Sequence, residues 1–168
     1  MVAHEAEVRW QRGAGEPFAD RRYSRAHAWH FDGGAAVPAS ASPHAVPPPF
    51  SQAAHVDPEE ALVAAAASCH MLTFLFVAAR AGYVVDRYVD RAAGEQGANA
   101  EGRPAVTRVV LRPEVTFSGA RAPTAADVDA LHRQAHAQCV IANSLRAEVA
   151  CEGAWAYAGP LGVAEAGA

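Results

Sequence analysis

The chain has 168 residues, 51% of them apolar and 19% charged, with a formal net charge of −4 at pH 7. That size and balance suit one globular domain with its own core, and the acidic sign argues against a nucleic-acid surface, which shows a basic patch. There is no lysine, all 14 basic residues being arginine, which excludes Schiff-base chemistry and lysine-dependent phosphate loops.

The opening "MVAHEAEVRW" lacks the basic start and apolar run of a secretory signal. No unbroken apolar run of about 18 residues stands out. The expectation is a cytoplasmic protein with neither nucleic acid nor membrane as a partner. In a reducing compartment Cys69, Cys139 and Cys151 would serve packing, metal binding or redox chemistry and not a static disulfide framework.

In chain order, "EAEVRWQR" (5–12) reads as a first strand and "YSRAHAWHF" as a second, followed by the turn signal "DGG" at 32–34. Residues 35–55 are rich in Ala, Pro and Ser, and the spacing predicts an extended surface loop. A long helix follows from Asp57 to about Arg80, with Asp57 as N-cap, Pro58 at the first helical position and Glu60 at N3, a capping box. Gly82 ends it. This helix is apolar nearly all round, so it must be buried on most faces, and in a chain this small that implies a second subunit. Segments 83–95 and 105–119 read as strands. Thr124 caps a second helix, with Asp127 three residues on, reaching about residue 138. A last strand lies over 146–153. The order ββ-α-ββ-α-β, without βαβ repeats, predicts an α+β fold. Residues 1–168 form a single domain in this reading, with a flexible tail over 160–168.

Cys69 raises the chemical question. A free cysteine on an apolar helix face is most often a small, inert hydrophobe, and Cys69 shares its face with Leu62, Ala65, Ala66, Leu72 and Thr73. It sits well beyond the first turn, where the helix dipole has faded, so activation would need a cation from elsewhere. Without lysine, that cation is an arginine, charged even when buried. A buried arginine needs a carboxylate. Glu60 is committed to the capping box, which leaves Glu59. At about 1.5 Å rise per residue Glu59 lies roughly 15 Å along the axis from Cys69. Either the helix breaks near its start or the site joins two chains, and the second is the expectation.

"DPEEALVAAAASCH", followed some way on by "HAQCVIANSL", resembles the OsmC/Ohr family of osmotically inducible and organic hydroperoxide resistance proteins; "YSRAHAWHFDGG" resembles its OsmC-like branch. The resemblance spans roughly residues 5–152. It implies an intertwined α+β homodimer with active sites at the interface. It implies Cys69 as the peroxidatic cysteine, Cys139 as its resolving partner in a Cys69–Cys139 disulfide, and Glu59 as the carboxylate orienting a catalytic arginine. Arg25 matches that arginine, with Arg21 and Arg22 as competitors. The second motif departs from the "CPYS" of Ohr proteins. The implied activity is reduction of organic hydroperoxides by an external dithiol, such as a lipoylated protein, with no bound cofactor and no metal. The apolar wall would comprise Leu62, Leu72, Phe76 and Phe50.

Two other readings compete. His132, His136 and Cys139 fall at i, i+4 and i+7 and could hold zinc, with Cys69 or His70 as fourth ligand. Alternatively the fold binds a ligand without peroxidase turnover. Cys151 reads as a packing residue, and Trp10, Trp29 and Trp155 as core or edge packing.

Overall fold

A computed structural model of the chain describes residues 2–160, so the tail expected over 160–168 lies, but for Pro160, outside the described residues. Two compact units divide the chain, one ending at Leu62 and one starting at Val63.

In the first unit β1 (Ala6–Arg9), β2 (His27–Phe31) and β3 (Ala36–Ala39) form an antiparallel sheet in the order β1-β2-β3. The third strand corrects the expected loop over 35–55. The 32–34 turn folds the chain back, Gly34 taking φ +85, and pairs Ala36 with His30 and Ala39 with His27. Pro38 is tolerated because no strand pairs with the outer side of β3, where an isolated bridge to Val56 uses the Pro38 carbonyl and not its nitrogen. Beyond it the chain is irregular, pinned where the buried Ser40 hydroxyl accepts the Gln52 N–H at 3.0 Å.

Helix α1 (Pro58–Arg80) starts as the sequence predicts. The Asp57 carboxylate accepts the Glu60 N–H at 2.8 Å and the Glu60 carboxylate accepts the Asp57 N–H at 3.1 Å, so two otherwise orphaned donors are satisfied reciprocally. The helix ends before Gly82, whose φ of +77 suits a residue without Cβ. It runs without a break, which removes the broken-helix option. By length and composition α1 could cross a membrane; its Ala66, His70, Phe74, Val77 and Ala78 are nonetheless buried in protein. Its opposite stripe is not buried: Leu72 is 61% and Phe76 55% exposed, in line with Ala65, Ser68 and Ala79.

The second unit carries two further three-stranded sheets. Strand β4 (Val84–Asp90) pairs antiparallel with β7 (Pro113–Ser118), and β5 (Ala93–Ala98) with β6 (Pro104–Leu111). Strands β8 (Glu148–Cys151) and β9 (Ala154–Tyr157) join β6 and β7 in parallel. The predicted segments 83–95 and 105–119 are thus two strands each, the chain changing sheets between Asp90 and Ala93 and again at Arg112. The second change follows from Pro113, which has no N–H to continue a ladder, while Asp90 takes the Arg112 N–H at 2.7 Å. A third change falls at Gly153, where a Cβ would stand 3.0 Å from the Pro113 ring and 3.2 Å from its carbonyl oxygen. The order is βββ-α-ββββ-αα-ββ, an α+β fold with more strands than the sequence pattern separates.

Helix α2 (Ala125–Gln138) opens on a second capping box, Thr124 with Asp127, and α3 (Val140–Ser144) follows directly. The core joins Phe74, Val77 and Ala78 of α1 to Val115 and Phe117 of β7 and to Val128, Leu131 and Ala135 of α2.

Candidate functional site

The junction of α2 and α3 is built around Cys139. It is both the last cap of α2 and the first of α3, and its side chain is fully buried. Its Sγ accepts the Ala142 N–H at 3.3 Å, and Asn143 braces the junction by donating to the Ala137 and Cys139 carbonyls at 3.1 and 3.0 Å. Next to it on α1 is Cys69, a half-buried free thiol. Burial first, and then the adjoining Cys69 thiol, push the Cys139 thiol up from its ordinary value; the Ala142 and Ile141 N–H groups pull the other way. Thr73 donates to the Cys69 carbonyl at 2.9 Å. The fold therefore brings together two free thiols separated by seventy residues of sequence, one partly accessible and one enclosed.

In the first unit Arg25 is half-buried, its guanidinium 3.7 Å above the Tyr23 ring. It donates to the Arg21 carbonyl at 2.7 Å and to the Tyr23 carbonyl, so it is an always-charged group held by local backbone and an aromatic face. Arg21 and Arg22 are exposed, and Arg21 adopts φ +64. Glu59 is exposed in the first turn of α1. Within that unit's described residues it forms no ion pair.

A second cluster was only partly anticipated. His132 does not turn toward Cys139. Its Nδ1 lies 3.1 Å from Nε2 of His70 and 3.6 Å from Sγ of Cys151. His136 is exposed, and Cys139 is occupied at the α2–α3 junction. Cys151, expected to be a packing residue, is solvent-exposed as a residue, with its Sγ against His132. The helical His132/His136 spacing pointed to one member; nothing local pointed to Cys151. Phe74 backs the His132 ring at 4.4 Å between centroids.

Burial lowers both imidazoles to about 4, aided at His70 by the facing His132 and His136 and opposed at His132 by Asp129. Both are neutral at pH 7. Partial desolvation, then Asp90, push the Cys151 thiol up to about 11. Beside the cluster opens a cavity of about 490 Å³ lined by His132, Cys151, Asp129, Arg133, His136 and Trp155, among others.

The sequence profile of the family described as OsmC-like protein matches residues 51–152. An OsmC-like protein of unknown function from Vibrio cholerae is 52% identical, with a TM-score of 0.90 over 92% of this chain and 100% of that one. An organic hydroperoxide resistance protein from Elizabethkingia anophelis shares the fold at 14% identity and a TM-score of 0.66, over 94% of this chain and 97% of that one. The organic hydroperoxide resistance protein OhrB of Bacillus subtilis does so at 15% identity and 0.60, over 92% and 98%. No curated protein matches the chain.

Proposed function

The chain belongs to the OsmC-like family, and on that premise we propose that it is a thiol-dependent hydroperoxide reductase acting through Cys69 and Cys139. The observation that carries the reading is the adjacency of a half-buried Cys69 and an enclosed Cys139. The Cys69 thiolate attacks the distal oxygen of ROOH; the O–O bond breaks, ROH leaves after taking a proton, and Cys69 becomes a sulfenic acid. The Cys139 thiol then displaces water from it, forming the Cys69–Cys139 disulfide. An external dithiol, such as a lipoylated protein, restores both thiols by exchange and is itself oxidised. No resident cofactor is needed.

The enclosure of Cys139 supports the second step, since burial and the adjoining Cys69 keep it as the thiol that condenses with the sulfenic acid. Arg25, or its neighbours Arg21 and Arg22, supplies the cation that activates Cys69, and Glu59 of the same or the partner chain orients it. The exposed Leu72 and Phe76 are the kind of apolar stripe that soluble monomers rarely keep, which supports a homodimer closed along α1. Apolar walls favour organic hydroperoxides over hydrogen peroxide. The proposed setting is cytoplasmic.

The test is a dithiol-driven peroxidase assay with cumene hydroperoxide and hydrogen peroxide on wild type and Cys69→Ser. Activity confined to wild type, and higher with cumene hydroperoxide, is the expected result; equal rates in both proteins would refute the mechanism and leave a ligand-binding role. Sedimentation of wild type and Phe76→Glu tests the dimer: wild type should sediment as a dimer and the variant as a monomer.

A further inference from the structure

We propose that His70, His132 and Cys151 form a zinc site, separate from the Cys69–Cys139 pair, that clamps α1, α2 and β8 together. The distances fit. With zinc–nitrogen bonds of about 2.0–2.1 Å and a zinc–sulfur bond of about 2.3 Å, a tetrahedral site has a nitrogen–nitrogen edge of about 3.3 Å and a nitrogen–sulfur edge of about 3.6 Å. The observed separations are 3.1 Å between His70 Nε2 and His132 Nδ1 and 3.6 Å between His132 Nδ1 and Cys151 Sγ, and all three ligand atoms lie within 4.8 Å of one another.

His70 is a buried polar residue that packing does not account for. It is 1% exposed, and its Nδ1 is buried with no hydrogen-bond partner among the described residues. The imidazole–imidazole contact cannot repair this. If His70 Nε2 donates, Nδ1 is a bare acceptor; if His132 donates, Nδ1 carries a buried hydrogen with no acceptor. An unpaired buried group forgoes the hydrogen bond it made to water, and an apolar side chain would fill the space without that loss. Zinc on Nε2 leaves Nδ1 unpaired as well, but the metal bonds far outweigh that loss. A ligand role explains a histidine that packing alone does not.

Three protein ligands leave a fourth position, and the cavity beside His132 and Cys151 opens it to water. Glu152 is not the fourth ligand, being paired with Arg108 and Arg112 at 3.6 and 3.7 Å. Binding balances as Zn²⁺ replacing the Cys151 thiol proton, which is released to solvent. Because Cys139 takes no part, zinc and the thiol pair can coexist in one chain.

The experiment uses the full chain stripped with a chelator and titrated with Zn²⁺ against a chromophoric competitor, then with Co²⁺. One zinc per chain is expected, raising Tm by about 5–10 °C at a hundredfold excess over Kd. Cobalt should give a sulfur-to-metal charge-transfer band that Cys151→Ser abolishes and that Cys69→Ser and Cys139→Ser retain. His132→Ala should weaken zinc by more than about 100-fold. His70→Ala would open a core cavity, so the two less buried ligands carry the test, and each variant's Tm is compared with and without zinc. Absence of binding at micromolar zinc, or a band that follows Cys69 or Cys139, overturns the site. Peroxidase activity tests the thiol pair separately, so either assignment can fail alone.

Discussion

Cys69 and His70 are adjacent in the chain yet face two different clusters of side chains. Successive helical residues project about 100° apart, so α1 points Cys69 at Cys139 and His70 at His132 and Cys151. The first region pairs two thiols, one enclosed at a helix junction and one partly open. The second gathers two neutral imidazoles and a thiol beside an open cavity. One helix can thus present neighbouring residues to two separate side-chain clusters when its partners approach from different sides.

The largest effect is expected from Cys69→Ser. Peroxidase turnover should fall by more than about a thousandfold, as for other nucleophile deletions, while zinc binding is unchanged; parallel loss of both would mean one site and not two. Next is Phe74→Ala. Phe74 lies in the core with Phe117 and backs His132, so a loss of about 3–5 kcal/mol is expected in denaturant unfolding, with both regions weakened together.

A smaller effect separates them by pH. In chelator-treated protein the two imidazoles are held at about 4 against an ordinary 6.5. Between those values the unfolded chain binds more protons than the folded one, so stability is whole above about 6.5 and falls as pH drops toward 4. One such shift corresponds to about 3 kcal/mol. Urea midpoints measured across that range should therefore fall with acid in wild type and less so in His132→Gln, whereas Cys139→Ser should follow wild type. The smallest effect is expected from Asp57→Ala, which removes the α1 cap at about 1 kcal/mol. Thermal melting should register it while peroxidase rate and zinc affinity stay the same.

Much of the scaffold could be read locally. Both capping boxes, the ends of α1 and α2, and the Asp32–Gly34 turn depend on residues within four positions of one another, so the code is short-range. The pair Cys69 and Cys139 came from family resemblance, and the fold places them side by side. The division of 83–95 and 105–119 between sheets was hidden, because alternation reports a strand and not its partner. Strand β3 was hidden by its proline, which an edge position tolerates.

Local signals in the sequence alone settle the α+β class, the helices α1 and α2 with their caps and the absence of lysine chemistry. The three-dimensional packing decided which side chains meet. His70, His132 and Cys151 are 62 and 19 residues apart along the chain, and no local periodicity encodes such separations. They converge because α1 and α2 share one core around Phe74 and Leu131, and because Gly153, packed against Pro113, lies within reach of His132 just beyond β8. Contacts of that range arise from the collective burial of apolar surface, which is non-directional; the polar groups are then set by the backbone geometry that burial leaves.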